Sequence, residues 1–297
     1  MFLKWISDDC YQKIAIVGIC KNAGKTTILN HIMQHCITNW GIMTTGRDGE
    51  AEDVLFKTPK PQVKITRGSV FCADSVCLDA YGSRVNILEK TVWQSGGKPL
   101  WIARANCDLE GEIAGPQNTA AQADLAERLI YWGADKVLID GSLDRKSIAF
   151  SSSIQAIILS IGASFGSLTA IEEELHRLQV LNQLPAIKPL TPQAIKQLHE
   201  AKGIMLEQDN LWTEAGFSSL ISNEKRLISL IKDTPFSSIY FPGAITSNIY
   251  KHLGSSLQPY KLYFRHPECL KLPVNELKAF VGQHHPQCLI PYNIKAV

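Results

Sequence analysis

The 297-residue sequence lacks the features that mark several large classes of protein. It has no long basic run, and 30 basic against 28 acidic residues give a net charge of +2, so nothing in it requires a nucleic acid as partner. It has no apolar stretch of the roughly 20 residues that a membrane helix needs. Its beginning, MFLKWISDDC, is too short and too acidic for a signal peptide. We therefore expect a cytoplasmic protein that binds neither nucleic acid nor a membrane.

Cysteines are present but are not clustered. The eight cysteines lie at positions 10, 20, 36, 72, 77, 107, 269 and 288, and none forms a Cys-x-x-Cys pair. A zinc site needs clustered ligands, and disulfides are rare in a reducing cytosol. We therefore predict buried free thiols. The neighbouring His284 and His285 are interpreted as a surface pair rather than as metal ligands.

The sequence does contain a regular alternation of strand-like and helix-like segments. Short apolar runs predict strands at residues 13–17, 41–45, 100–106, 136–140 and 156–161, and helical periodicity predicts helices at 25–36, 118–132 and 167–181. Two further alternating segments, 63–73 and 84–92, predict either a hairpin or an antiparallel extension of the sheet. Strands that alternate with crossover helices predict an α/β fold with a doubly wound, mostly parallel sheet.

A proline-rich stretch suggests a division of the chain. Residues 185–192 contain three prolines and are typical of a linker. Beyond it, shorter strand and helix patterns predict a second α/β fold. We therefore predict a larger α/β domain at residues 1–185 and a smaller α/β domain at residues 193–297 that binds a partner or a ligand.

The clearest chemical signal is the segment IAIVGICKNAGKTTILN, in which an apolar strand leads through a loop into a helix. Gly24 lets a phosphate approach the backbone, Lys25 supplies a charge for the β and γ phosphates, and the Thr26 hydroxyl is suited to Mg²⁺. In the usual pattern of this loop the first glycine stands five residues before Gly24; here Ile19 takes that position and Gly18 precedes it. This segment makes residues 1–185 the predicted nucleotide-binding domain. The predicted ATP-binding residues of the loop are Lys21, Asn22, Ala23, Gly24, Lys25, Thr26 and Thr27.

A second signal, TTGRDGEAED, follows the second predicted strand. Asp48 is positioned in the chain to reach Mg²⁺ or the water that attacks a γ-phosphate, and Glu50 and Asp53 are less favoured candidates. Arg47 is a candidate contact for phosphate. The alternative interpretation is a solvated acidic turn.

A third signal, KVLIDGSLDRKS, places Asp140 at the end of an apolar strand. A buried carboxylate there needs a metal or a counter-charge, and its position coincides with the ligand crevice of α/β sheets. A turn or capping role is the alternative. Asp144 and Arg145 follow on the loop and are candidates for contact with a substrate or partner. The predicted catalytic residues are Lys25, Asp48 and Asp140, and the predicted Mg²⁺ ligands are Thr26, Asp48 and Asp140.

Two weaker features leave alternatives open. Glu112 and the segment from Gly115 to Thr119 lie between a strand and a helix, where Asn118 or Thr119 is a candidate N-cap and a substrate role is also open. The guanine-reading Asn/Thr-Lys-x-Asp motif of GTPases is not evident, which favours ATP over GTP.

The three motifs KNAGKTT, TTGRDGEAED and LIDGSLDRKS, in this order, resemble those of the P-loop class that includes dethiobiotin synthetase and MinD-type ATPases. Together with FPGAITSNI in the second predicted domain, they most resemble the P-loop subunit of lysine 5,6-aminomutase reactivase. This resemblance implies an ATPase that works with a MutS-like ATPase subunit to open an adenosylcobalamin-dependent aminomutase and release damaged cobalamin. A homodimer is another assembly consistent with this class.

Two other functions stay open at this point. An enzyme of the dethiobiotin synthetase type would phosphorylate a small carboxylate in a pocket lined by residues 112–119 and 141–147. A non-catalytic module would bind nucleotide without turnover, and its second domain would recruit a partner.

Overall fold

The computed structural model describes Ile6 and residues 10–48, 61–142, 153–188 and 190–297, without the side chains of residues 47, 48, 142 and 233. The chain divides into two compact units, Met1–Ser167 with Asn293–Val297, and Leu168–Tyr292. Each unit is a mixed α/β structure with parallel strands and several helices. None of the helices in the described ranges is long and apolar enough to cross a membrane.

The first unit is built on an eight-stranded sheet. Its helices are α1 Lys25–His35, α2 Ser75–Tyr81 and α3 Thr119–Tyr131. Its strands are β1 Lys13–Gly18, β2 Trp40–Thr44, β3 Arg47–Asp48, β4 Val63–Ile65, β5 Val70–Asp74, β6 Val85–Ser95, β7 Lys98–Ala105, β8 Leu109–Gly111, β9 Ile113–Ala114, β10 Lys136–Ser142, β11 Ala156–Ser160 and, from the end of the chain, β19 Ile294–Ala296.

The sheet runs in the order β19-β11-β1-β10-β2-β5-β7-β6. From β19 to β5 all neighbours are parallel, and the strands from β11 to β5 form nearly continuous buried apolar runs, as expected for strands covered on both faces. On one face α1 buries Leu29, Ile32 and Met33. This parallel part of the sheet carries the candidate site at its carboxyl edge.

The far edge of the sheet is antiparallel. β7 pairs with β5 on one side and with β6 on the other, so the predicted segments 63–73 and 84–92 do not pair with each other as a hairpin. The second part of segment 63–73, β5, and the segment 84–92 extend the sheet, whereas β4 pairs with β8 in a separate two-stranded sheet. The hairpin is instead formed by β6 and β7, because Gly96 and Gly97 adopt the positive φ angles of 54° and 80° that a tight turn needs.

The second unit has a five-stranded sheet in the order β13-β12-β14-β16-β18 and a separate parallel pair of β15 and β17. Its helices are α4 Leu168–Asn182, α5 Pro192–Glu200, α6 Glu224–Asp233, α7 Ser247–Leu253 and α8 Val274–His284. Its strands are β12 Met205–Gln208, β13 Leu211–Glu214, β14 Ser238–Phe241, β15 Ile245–Thr246, β16 Lys261–Phe264, β17 Leu270–Lys271 and β18 Gln287–Cys288.

The observed division of the chain falls at residues 167–168, upstream of the predicted linker. Within residues 185–192, Ala186 forms a parallel bridge with Cys288, and the Thr191 hydroxyl accepts a hydrogen bond from the Ala194 amide at 3.2 Å. Pro189 lies outside the described residues. These contacts make most of the proline-rich stretch an integral part of the second unit, while residues 293–297 return to the sheet of the first unit.

The prediction of an exposed histidine pair at residues 284 and 285 is wrong for His284. Its side chain is buried, and its ring lies 4.7 Å from that of Phe280 and 5.9 Å from that of Tyr250. His285 adopts a left-handed conformation and caps α8. Burial of the aromatic face of α8 explains why His284 turns inward.

Candidate functional site

The loop between β1 and α1 contains a series of backbone amides that have no acceptor in the described part of the chain. Gly24 has a φ of 88° and Asn22 a φ of 58°, left-handed conformations that occur in anion-binding backbone concavities. The first intrahelical bond runs from the Ile28 amide to the Gly24 carbonyl at 3.1 Å. Within the described part of the chain, the amides from Lys21 to Thr27 donate no hydrogen bond. These donors are therefore available to an anion.

The carbonyl side of the same loop is held by the segment that follows β11. The Ile19 amide donates to the Ser160 carbonyl at 3.1 Å, and the Ser160 hydroxyl donates to the Ala23 carbonyl. The Ser164 hydroxyl donates to the Lys21 carbonyl at 2.9 Å. Because the Ile19 amide and the Lys21 and Ala23 carbonyls make these contacts, the loop is fixed without use of the amides from Lys21 to Thr27.

Two glycines permit this close packing. A β-carbon on Gly162 would stand 2.6 Å from the α-carbon of Ala23, which any larger residue would have to displace. A β-carbon on Gly18 would stand 3.2 Å from Cδ of Lys25 and 3.0 Å from the carbonyl oxygen of Cys20. Gly18 thus provides the close approach near the start of the loop, and Ile19, at the usual glycine position, is buried.

Lys25 and Asp140 are brought together by the adjacency of β1 and β10. These strands are parallel neighbours, with Ile16 opposite Asp140. The Nζ atom of Lys25 lies 4.0 Å from Oδ1 of Asp140, whose side chain is only 1% exposed. Opposite charges that are shielded from water in this way interact more strongly than exposed ones. The Mg-ATP site predicted from the sequence required Lys25 and Asp140 to lie this close together.

The backbone of the second motif also reaches Asp140. The Thr45 amide donates to the Asp140 carbonyl at 3.0 Å, and the Thr44 hydroxyl donates to the same carbonyl at 3.4 Å. Next along the chain, β3 pairs antiparallel with β9, which sets Asp48 opposite Ile113. The backbone carrying Asp48 therefore leaves the sheet beside Asp140.

Several predicted residues cannot be placed in this geometry. The side chains of Arg47 and Asp48 are not described, and Glu50, Asp53, Asp144 and Arg145 lie outside the described residues. Thr26 is half-buried in the first turn of α1, and Thr27 is exposed there. Lys21 and Asn22 are exposed, and Ala23 is buried.

The segment before α3 packs closely against the second motif. Gly46 and Gly115 exchange backbone hydrogen bonds, and a β-carbon on Gly115 would collide with the Thr44 carbonyl oxygen at 1.8 Å. Asn118 is the N-cap of α3: its Oδ1 accepts from the Ala121 amide at 2.8 Å, which confirms one of the two predicted caps. The Glu112 carbonyl accepts a hydrogen bond from the Tyr81 hydroxyl at 2.7 Å.

Sequence reasoning missed the residues that hold the site in place but lie far from it in the sequence. Ser160, Gly162 and Ser164 hold the phosphate-loop candidate. Gln122, 1% exposed, donates through Nε2 to the Thr45 hydroxyl at 3.2 Å and to the Pro116 carbonyl at 2.8 Å. Ser160, which ends the apolar run of β11, was a polar residue that the sequence pattern could have singled out. Its role in holding the loop could not be predicted, because it depends on β11 lying beside β1.

The described residues contain no group of three or more His, Cys, Asp and Glu side chains that could hold a metal on its own. The arrangement instead offers amide donors, one lysine, threonine hydroxyls and one buried carboxylate, a set suited to an anion that brings its own hard cation. Comparison with protein-family models, with curated proteins and with solved structures found no match.

Proposed function

We propose that the first unit is a P-loop domain that binds ATP with Mg²⁺ and hydrolyses it. The observation that carries the proposal is the placement of Lys25 within 4.0 Å of the buried Asp140, at the end of a loop whose amides from Lys21 onward donate no hydrogen bond within the described residues. A cation beside free amides suits phosphate, and a buried carboxylate beside it suits the metal that accompanies phosphate.

The strand order supports a doubly wound arrangement. From β1 the chain passes through α1 to β2, on the β10 side, whereas β11 lies on the other side of β1. The strand order therefore reverses at β1. In open α/β sheets, ligands bind outside the carboxyl ends of the strands at such a reversal. The loop from Ile19 to Gly24 and the carboxylate of Asp140 both occupy this edge.

In the proposed site each residue has a separate role. The amides from Lys21 to Thr27 and the Lys25 ammonium hold the phosphates, and the Thr26 hydroxyl and Asp140 hold or orient Mg²⁺. Asp48 positions the attacking water, and Arg47 contacts phosphate. Phosphoryl transfer depends mainly on positioning and charge stabilisation, which Mg²⁺ supplies when bound.

We further propose that this ATPase is a subunit of an aminomutase reactivase. The support is the order of the three motifs together with the FPGAITSNI segment, which forms the end of β14, the turn after it, β15 and the start of α7. On this proposal ATP hydrolysis biases a two-state interface with a MutS-like ATPase subunit, so that an adenosylcobalamin-dependent aminomutase opens and releases damaged cofactor.

Titration calorimetry with Mg-ATP tests the first part. Lys25→Ala should weaken binding by about 100-fold or more, because it removes a charge-assisted contact to phosphate in a shielded site. Lys225→Ala, at an exposed position of α6, is the matched control and should bind ATP like the parent chain. Equal affinities of both variants would contradict the proposal.

Turnover and partner capture test the second part. A pull-down from native lysate with and without ATP should recover an aminomutase or a MutS-like ATPase in a nucleotide-dependent way. ATP turnover that depends on a small carboxylate, with no protein recovered, would instead identify a kinase or ligase of the dethiobiotin synthetase type. Binding of ATP without turnover under all these conditions would identify a non-catalytic module.

A further inference from the structure

The second unit contains a surface cavity, widely open to solvent, whose lining residues have no role in the proposed nucleotide site. Its volume is about 470 Å³, within the range of small-molecule sites, and its lining includes Arg177, Thr246, Asn248 and Lys271. Two of these side chains are cationic, and the other two carry a hydroxyl and an amide. The cavity therefore offers several hydrogen-bond donors in one place.

The cavity lies where two parallel strands end. β15 and β17 pair with Ile245 opposite Leu270 and Thr246 opposite Lys271. The lining continues into the residues that directly follow each strand, at 247–248 and 272–273. The carboxyl ends of parallel strands are a common location for ligand sites in α/β structures.

A buried carboxylate fixes the two cations of the cavity. Glu268 is 5% exposed and accepts hydrogen bonds from Nη2 of Arg177 at 2.8 Å, from the Tyr292 hydroxyl at 3.0 Å and from Nζ of Lys271. Glu174 holds the same guanidinium through Nε and Nη2, both at 2.8 Å. Arg177 and Lys271 are thus oriented before any ligand arrives.

Both cations keep donors beyond those that Glu268 and Glu174 use. Within the described residues the Nη1 atom of Arg177 donates no hydrogen bond, and Lys271 donates only to Glu268. Burial alone would raise the pKa of Glu268. The positive charge and hydrogen bond of Arg177, and then those of Lys271, outweigh the effect of burial and hold that pKa below its ordinary value. Glu268 consequently stays ionised at neutral pH and keeps both cations in place.

A buried ion-pair network such as that of Glu268, Arg177 and Lys271 is an inefficient way to stabilise a fold. Burying ion pairs costs desolvation energy that their attraction often fails to offset, and apolar residues would serve packing as well. Oriented cations beside a cavity are, by contrast, what recognition of a planar or tetrahedral oxyanion requires.

We propose that this cavity binds a small molecule through an oxyanion, a carboxylate or a phosphate group, held by Arg177 and Lys271. The Thr246 hydroxyl and the Asn248 amide contact the remainder of the ligand. All the residues that line this site belong to the second unit, and the proposal does not rest on the nucleotide site.

The test uses the full chain carrying Lys25→Ala, so that the proposed nucleotide loop does not contribute phosphate binding. Calorimetric titrations with potassium phosphate and with sodium succinate, each at ionic strength matched with chloride, distinguish the two anion sources. Lys271→Gln removes one cation, and Asn248→Asp places a negative charge at an exposed position of the lining. Lys278→Gln, an exposed lysine of α8, is the matched control.

At least one anion should bind, and Lys271→Gln and Asn248→Asp should each weaken it by about tenfold or more, whereas Lys278→Gln should not. Binding of only one anion identifies the group that the cavity recognises. Absence of binding by both anions, or equal affinity in all three variants, would overturn the proposal. Within the described residues Glu268 is hydrogen-bonded to Arg177, Lys271 and Tyr292 and not to Asn248. The Asn248 variant therefore leaves the Glu268 network intact and keeps the test decisive if Lys271→Gln disturbs folding. Loss of ATP binding on Lys25→Ala bears only on the nucleotide site, so the two proposals fail separately.

Discussion

Gly162 lies so close to Ala23 that a β-carbon on the glycine would stand 2.6 Å from the α-carbon of the alanine. This contact joins the segment after β11 to the loop before α1. It belongs to the same interaction as the hydrogen bonds from the hydroxyls of Ser160 and Ser164 to the loop carbonyls. The shape of the proposed phosphate loop is therefore set by residues far from it in the sequence.

Gly162→Ala should weaken ATP binding by about tenfold or more, because the added methyl group displaces Ala23 and with it the amides of the loop. Calorimetric affinity for Mg-ATP is the measurement. Gly282→Ala is the matched control, since a β-carbon there would meet no atom within 4 Å. An unchanged affinity in a folded Gly162→Ala chain would show that the loop does not bind the phosphates.

Asp140→Asn should make ATP binding largely independent of Mg²⁺. The substitution removes the buried negative charge that the proposal assigns to the cation, and it leaves the Lys25 ammonium for the phosphates. Affinities measured with Mg²⁺ and with EDTA should differ by about tenfold or more in the parent chain and by much less in the variant. Asp209→Asn, in an exposed turn with a φ of 52° that asparagine tolerates, controls for loss of a carboxylate. A full Mg²⁺ effect in Asp140→Asn would contradict the assigned role.

Glu268→Gln should destabilise the second unit by about 3 kcal/mol or more, because two cations then lose their buried counter-charge. Urea unfolding followed by tryptophan fluorescence measures the change, and Glu173→Gln, at an exposed position of α4, is the control. The pKa of Glu268 is lowered in the folded state, so its contribution is present above the ordinary glutamate pKa and is lost as the pH falls through the folded value. Equal stability of both variants would show that the network contributes nothing.

Acidification should also destabilise the chain through His284. Burial, followed by the charge of His285, lowers the pKa of His284, so the unfolded state binds a proton more readily than the folded state. Stability should be complete above the ordinary histidine pKa of about 6.5 and should fall as the pH drops below it. His284→Phe, which keeps the ring packing, should reduce this pH dependence, measured as Tm between pH 7.5 and about pH 5.5. His199, whose pKa burial also lowers, leaves a residual dependence. An identical pH profile for His284→Phe would exclude His284 as a source.

Local patterns were sufficient for most of the regular elements. The apolar run at residues 13–17 became β1, the run at 136–140 became β10, and the periodic segment at 118–132 became α3 with Asn118 as its cap. These succeeded because strand and helix periodicity and capping act between residues that are close in the chain. The helix α5 and the hairpin of β12 and β13 were missed. The hairpin turn uses Asp209 and Asn210 at φ angles of 52° and 64°. An Asp-Asn pair is a weaker sequence signal for such a turn than Asn-Gly or Asp-Gly.

The sequence by itself determined the chemical groups of the proposed site: a glycine-containing loop, a lysine, two threonines and a carboxylate at a strand end. Only the tertiary structure decided that β11 lies beside β1, so that Ser160 and Gly162 shape the loop, and that residues 293–297 complete the sheet of the first unit. Only the tertiary structure likewise gathered Arg177, Glu268 and Lys271 around one cavity. The reason is that strand order and side-chain packing join residues far apart in the chain, and no local periodicity records which of them will meet.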